Sequence, residues 1–312
     1  MLVFVTSVRH PLNSTSYEKV EELLAGTLDS ICNQTDQNFH VIVVCNQIPN
    51  FCNIYQKVDF LKVDFPPPSQ EKNSKIDLMS CLRDKGTKRL VGLMHAKQYA
   101  PTHIMFFDAD DRVSNKIAGY VNSHLQENGW LVTDGYTHGL GMSLLMQKKD
   151  FHLACGTSII INYKLLEPYL NFPETPTQEM ILQKTDSDFL YNILGNHRKV
   201  EAYFKESNRS LKPLPFPAAI WVVNTGENRS VDKGIAGLLG QPITQKISEE
   251  FTLEYQRVGL KTLIDTALKL PKAIQISLSL LLFRDLKNNL YRYLSKLFIV
   301  KLLKSKTKNM VS

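Results

Sequence analysis

Short apolar runs alternate along the chain with longer segments whose apolar residues recur at helical spacing. Leu2–Val8 is a β-rich run closed by Arg9-His10-Pro11. Val20, Leu23, Leu24, Leu28 and Ile31 then repeat three and four residues apart, which predicts a helix over 16–33. Ser14 or Ser16 caps it, with Glu18 and Glu21 in its first turns. Phe39–Cys45 is nearly continuous in apolar residues, as expected of a strand covered on both faces in a parallel sheet. Phe60–Phe65 predicts a third strand, and Pro66-Pro67-Pro68-Ser69 a loop. A helix over 85–99 and a strand over His103–Phe107 follow. Ala118–Asn128 and Asp186–Leu194 read as helices, Trp130–Thr133 and Ser158–Asn162 as strands. From Phe251 onward the pattern is helical, interrupted by Pro271.

This order predicts an α/β fold, a mostly parallel sheet flanked by helices. We place it over residues 1–245, with a helical extension over 246–312. Composition agrees: 43% hydrophobic and 21% charged residues in 312 exclude a disordered chain, a collagen and a polytopic membrane protein. The five cysteines form no C-x-x-C pair, so reduced thiols and a cytoplasmic setting are expected. The N-terminal run is too short and uncharged for a signal peptide, and no stretch approaches the roughly 20 apolar residues of a membrane span.

Net charge changes the picture through its distribution. Of the total of +7, all is contributed by residues 273–312, where Arg284, Lys287, Arg292, Lys296, Lys301, Lys304, Lys306 and Lys308 face the single acid Asp285. The neutral remainder argues against a nucleic-acid partner. Phe283, Leu286, Leu290, Tyr293, Leu294 and Leu297 recur at helical spacing in the same tail. A helix with one apolar and one cationic face suits an anionic membrane surface, the reading that the near absence of compensating acids favours over packing on the domain.

The segment richest in chemistry is Asp108-Ala109-Asp110-Asp111, delivered by the apolar strand His103–Phe107. Ligands of open α/β sheets bind beyond the C-terminal ends of the strands. In an extended segment Asp108 and Asp110 face one side. Two carboxylates so placed suit a hard divalent cation, Mg²⁺ or Mn²⁺, that also takes phosphate oxygens. The plainer reading is an Asp-rich turn that ends a strand. The eight histidines show no zinc pattern, and no P-loop, dinucleotide fingerprint or nucleophile elbow occurs.

Over roughly residues 1–230 the chain resembles glycosyltransferases of the GT-A fold, the family-two-like group that uses nucleotide-sugar donors. The resemblance rests on the first strand, the following helix, the strand ending at Cys45-Asn46, the run Asp84–Arg89, the Asp108–Asp111 segment and Thr185-Asp186-Ser187-Asp188-Phe189. It implies a donor site in which Thr6 and Arg9 lie against the nucleotide and Asn46 sits near the base, where many relatives carry Asp. Lys85, Lys88 and Arg89 then contact diphosphate or base, or else form a solvated basic helix face. Asp108 lies on the ribose and metal side, and Asp110 ligates the metal. Asp188 or Asp186 takes the proton of the acceptor hydroxyl in an inverting transfer, or caps a helix. Cys155-Gly156-Thr157-Ser158 walls the acceptor side or is a plain turn, and His138 lies on a surface or acceptor loop. Relatives often supply a late His to the metal; none follows Trp221 here, and Arg229 is placed on the diphosphate instead.

The partners implied are a UDP-sugar donor, a glycan or lipid-linked acceptor and the inner membrane face. A nucleotidyltransferase on a similar sheet, or a membrane-associated scaffold with a degenerate site, are the competing readings. The first would need a Gly-rich loop after the first strand, and Val8–Leu12 holds no glycine.

Overall fold

The computed structural model describes residues 1–71, 76–228 and 240–255. Strand β1 (Leu2–Ser7) is fully buried up to Thr6, and its residues divide between the two faces of the sheet. Helix α1 (Tyr17–Cys32) starts where Ser16 accepts from the Lys19 N–H, and it buries Val20, Leu24, Leu28 and Ile31 against one of those faces. Strands β2 (Phe39–Cys45) and β3 (Val58–Lys62) extend the sheet. Helix α2 (Leu78–Ala96) covers the other face through Leu90, Leu93 and Ala96. It begins well before the expected residue 85, because Asp77 caps it by accepting from the Ser80 N–H.

Strand β4 (His103–Phe106) pairs with β1, in parallel, as do β1 with β2 and β2 with β3. The C-terminal ends of all four strands therefore meet at one edge. Strand β5 (Arg112–Val113) and helix α3 (Ile117–Asn122) follow. The helix is much shorter than the expected 118–128. Strands β6 (Gly129–Leu131), β7 (Asp134–Gly139) and β8 (Leu144–Lys149), helix α4 (Phe151–Ala154) and strand β9 (Ile159–Asn162) come next. Helices α5 (Gln178–Lys184) and α6 (Val200–Glu206) flank a wide π-type turn over Phe189–Leu194. Strands β10 (Lys212–Pro213), β11 (Ala219–Val223) and β12 (Gln241–Pro242) and helix α7 (Gln245–Phe251) complete the described elements.

The main sheet has the order β10-β6-β9-β4-β1-β2-β3, mostly parallel, with β9 antiparallel to both neighbours. The α/β expectation for this region therefore matches. A second sheet, β12-β8-β7-β11-β5, was not expected. Phe251 of α7 packs with Leu145, Ile220, Val222 and Ile243. The helix expected from Phe251 onward does not continue at first: α7 ends at Phe251, Thr252 takes a left-handed conformation (φ 52°) and residues 252–255 are not helical, while the rest of that pattern and the basic tail lie outside the described residues. Within those residues no helix is long and apolar enough to cross a membrane.

Candidate functional site

The edge where the parallel strands end gathers charge. Asp108 follows β4 directly, and its Oδ1 meets Lys85 Nζ at 2.5 Å and Arg89 Nη2 at 3.1 Å. Its backbone N–H donates to Thr157 Oγ1 at 2.9 Å. Gly156 lies against the other carboxylate oxygen; a Cβ there would stand 2.6 Å from Asp108 Oδ2, so only glycine leaves that oxygen room. Burial pushes Asp108 up, but the Lys85 and Arg89 charges outweigh it and hold the carboxylate below its ordinary range.

Asp110 is the opposite case. Burial and the nearby Asp108 charge push its carboxyl up to about 6. Its Oδ2 accepts from Asn228 Nδ2 at 2.9 Å. Asn228 in turn accepts from the backbone and hydroxyl of Thr225 and donates to Val222 O, so its amide is committed on both sides. Asp111 points into the protein with 1% of its surface exposed. It accepts from Val222 N–H at 3.1 Å, Cys155 Sγ at 3.0 Å and the Thr157 hydroxyl. Burial, then Asp110 and Asp108, raise it well above the usual carboxylate range. Asp111 thus ties β11 of the second sheet to the turn before β9, and the two neighbouring carboxylates are left at the surface of that junction.

The other expected residues divide by where their polar atoms are spent. Thr6 is fully buried, and its hydroxyl donates to Phe107 O at 2.7 Å; it joins β1 to β4 instead of facing a nucleotide. Lys88 and Arg89 are 0% exposed. Lys88 Nζ donates to Val8 O and Asp84, both at 2.9 Å. Arg89 donates to Leu194 O and Phe107 O, both at 3.0 Å, besides Asp108. These two cations brace the strand ends from behind, and the expectation of a solvated basic face is overturned: Lys85 alone of the three is part-exposed. Arg9 is held by Glu227, Nη1 to Oε2 at 2.8 Å and Nη2 to the backbone carbonyl at 2.5 Å. Asn46 donates through Nδ2 to Val63 O at 3.2 Å and Phe65 O at 2.9 Å, while its buried Oδ1 has no partner among the described residues. Arg229 lies outside the described residues.

Asp186 and Asp188 are exposed at the head of the π-type turn. Asp186 Oδ1 accepts from Phe189 N–H at 2.8 Å and Asp188 Oδ1 from Asn192 Nδ2 at 2.6 Å. Among the described residues no hydrogen bond or ion pair joins either of them to Asp108 or Asp110. His138 is buried and bonds Met142 O across the turn between β7 and β8, not on a surface loop.

Three participants were not singled out from sequence. Glu227, 6% exposed, accepts from Arg9 and from the backbone N–H groups of Thr15 and Ser16, so a distant loop caps the start of α1. Asn228 holds Asp110. His197 lies within electrostatic reach of Lys85 and Asp108. The signal available for the first two was a polar loop directly after an apolar strand; nothing near His197 in the sequence marks it.

No family model matches the chain, and no curated protein matches it. Among solved structures it is similar to S. aureus TarS 1–349 in complex with UDP, at 14% identity over 72% of this chain and 61% of that one, with a TM-score of 0.42. The same TarS fragment in complex with UDP-GlcNAc matches at 14% identity over 85% of this chain and 64% of that one, TM-score 0.39. The glycosyltransferase GlyE of Streptococcus pneumoniae TIGR4 matches at 11% identity over 69% and 44%, TM-score 0.32. The chain thus spans less than two thirds of the length of these structures.

Proposed function

We propose that this chain is a GT-A glycosyltransferase that moves a sugar from a UDP-sugar to a hydroxyl of a glycan or lipid-linked acceptor. The observation that carries the reading is the charge arrangement beyond β4. Asp108 and Asp110 crowd each other at the mouth of the strand ends, Lys85 stands part-exposed beside them, and Asp110 is raised to about 6 by burial and its neighbour. A pair of carboxylates that resist joint ionisation fits a divalent cation. Among the described residues no third His, Cys, Asp or Glu completes a ligand cluster. That suits Mg²⁺ or Mn²⁺, which accept one or two carboxylates and take their remaining ligands from phosphate and water. Asp108 and Asp110 would hold it, and when bound it offsets the charge of the departing diphosphate.

Lys85 is free to leave Asp108 for a phosphate oxygen, since its aliphatic stem is flexible and its amine part-exposed. Asn46 supports uridine. Both of its N–H groups are spent on carbonyls, so the one group it has left is an acceptor oxygen, buried here, which once uncovered would match the imide N–H of uracil and oppose the N3 lone pair of cytosine. The proton of the attacking hydroxyl goes to Asp186 or Asp188, each of which is exposed and has one carboxylate oxygen engaged. The tail over 273–312 adds a peripheral attachment to the anionic inner membrane face through its excess of cations.

Calorimetric titration with UDP tests the reading. Binding should be tighter with Mn²⁺ than with EDTA, weaker for CDP than for UDP by about tenfold or more, and lost in Asp110→Ala. Equal affinity in Mn²⁺ and EDTA removes the ion from the proposal, and no binding of any nucleotide removes the activity.

A further inference from the structure

The chain has two tryptophans, in opposite surroundings. Trp130 is 1% exposed and packs among the rings of His103, Tyr120 and His124, with centroids 5.0, 5.7 and 6.3 Å away. Trp221 of β11 is half-buried, and among the described residues no aromatic ring or cation stacks on its indole.

Alternation along β11 sets where that indole points. Ile220 and Val222 pack with Leu145, Ile243 and Phe251 on one face of the second sheet. Trp221, between them, turns to the other face and packs there on the main apolar cluster, which includes Phe151, Cys155 and Ala219. It pairs with Thr137 in the parallel register of β7; two residues before Thr137, a Cβ on Gly135 would stand 2.4 Å from the Phe151 ring. The face that carries Trp221 is therefore closed at its start by Phe151, the first residue of α4. That helix leads into Cys155, which donates to Asp111, and Gly156, which lies against Asp108. The residue after Trp221 is fastened to the same acidic segment. Val222 N–H donates to Asp111 Oδ1 at 3.1 Å, and Val222 O accepts from the Asn228 amide that also donates to Asp110. The indole thus emerges where β11 meets the acidic segment and the turn before β9. Lys85 and Arg89 reach Asp108 from α2, which covers the opposite face of the main sheet. The other four residues of β11 are aliphatic, and a β-branched residue at 221 would serve the strand equally well. What the indole adds is a flat π-face at the rim of the cleft.

We infer that Trp221 is the platform on which the sugar ring of the acceptor stacks, which narrows the acceptor to one that presents a pyranose beside the reacting hydroxyl. This rests on the glycosyltransferase reading above. A pyranose carries its hydroxyls around its rim and C–H groups on its faces, and those weakly positive C–H groups match the negative face of an indole. The diphosphate of a donor is drawn to the α2 side, where Lys85 stands, so the ring that meets Trp221 belongs to the other substrate. An open-chain polyol offers no such rigid face.

Saturation-transfer NMR on the full-length protein, with UDP and Mn²⁺ present, reads the contact. The probes are the methyl β-pyranosides of glucose, galactose and N-acetylglucosamine, with sorbitol as the open-chain control. At least one pyranoside should take up saturation at the C–H groups of one ring face, and sorbitol should take up none. That affinity should fall about 3- to 10-fold in Trp221→Leu, which keeps apolar packing and loses the flat face, and should mostly return in Trp221→Tyr. Calorimetry should find UDP-GlcNAc bound as tightly by Trp221→Leu as by wild type. Wild-type emission gives a reading that needs no variant: with Trp130 buried, saturating pyranoside should shift the fluorescence to the blue. Constant emission, sorbitol bound as well as the pyranosides, or unchanged pyranoside affinity in Trp221→Leu overturns the inference. So does a loss confined to UDP-GlcNAc, which would put the indole under the donor sugar, and so does a wild type that binds UDP but no pyranoside. If the wild type binds neither UDP nor UDP-GlcNAc, the glycosyltransferase reading fails first, and this one with it.

Discussion

Replacing Asp110 by Asn should make the protein more stable at neutral pH while removing ion-dependent nucleotide binding. Asp110 stands at about 6 in the folded protein against an ordinary 3.8, raised by burial and by Asp108. The folded chain therefore binds a proton between pH 4 and 6 that the unfolded chain has released. Stability falls as pH rises through that window and stays lowered above it. At roughly 1.4 kcal/mol per pH unit the full cost of ionised Asp110 is about 3 kcal/mol. Part of the side chain remains in water, and screening reduces the figure to about 1–2 kcal/mol. The substituted amide removes the charge and can still accept from Asn228. The gain at pH 7.5 should be about 2–8 °C in melting temperature. Thermal melts at about pH 7.5 and 5.0, on either side of that midpoint, read it directly: the gap between Asp110→Asn and wild type should be wide at the higher pH and narrow at the lower. A variant that melts lower than wild type at the higher pH, or an equal gap at both, would refute the claim that Asp110 is held ionised against its surroundings.

Glu227→Ala leaves the Thr15 and Ser16 N–H groups and the Arg9 guanidinium without their acceptor; it should cost about 2–3 kcal/mol, with faster amide exchange at Ser16 by hydrogen-exchange mass spectrometry. Gly156→Ala drives a methyl into Asp108 Oδ2 and should weaken UDP binding at least tenfold by calorimetry, with a melting temperature near that of wild type. Changing Lys301, Lys304, Lys306 and Lys308 to Gln in the full chain should lower partitioning onto phosphatidylserine vesicles by roughly 100-fold or more, at about 1 kcal/mol per charge; undiminished sedimentation would exclude the tail as the attachment.

The elements read correctly from sequence are those whose apolar pattern is local. Phe39–Cys45 has the same bounds in the structure, and the helix over 16–33 differs by one residue at each end, because a buried strand and an amphipathic helix each declare their own period. The second sheet was not legible. Asp134–Gly139 carries two glycines, an Asp and a His, and its strand character is imposed by β8 and β11, the latter far along the chain. Within the site, Asp108 and Asp110 were visible because a buried strand ends on them. The burial of Lys88 and Arg89 was not, since a lysine and an arginine on a helix ordinarily mark its wet face. What buries them is a set of main-chain carbonyls at Val8, Phe107 and Leu194, and carbonyls leave no trace in side-chain identity.

The loop after β11 fastens Arg9 across 218 residues of sequence and Asp110 across 118. During synthesis, the first strand and both carboxylates leave the ribosome long before the segment that orients them. A nascent chain that stops short of Asn228 can pair β1 with β2 and β4, yet its acidic edge is unfinished. The geometry of the acidic edge is therefore completed only when the last part of the described chain has been made, through contacts of long sequence separation.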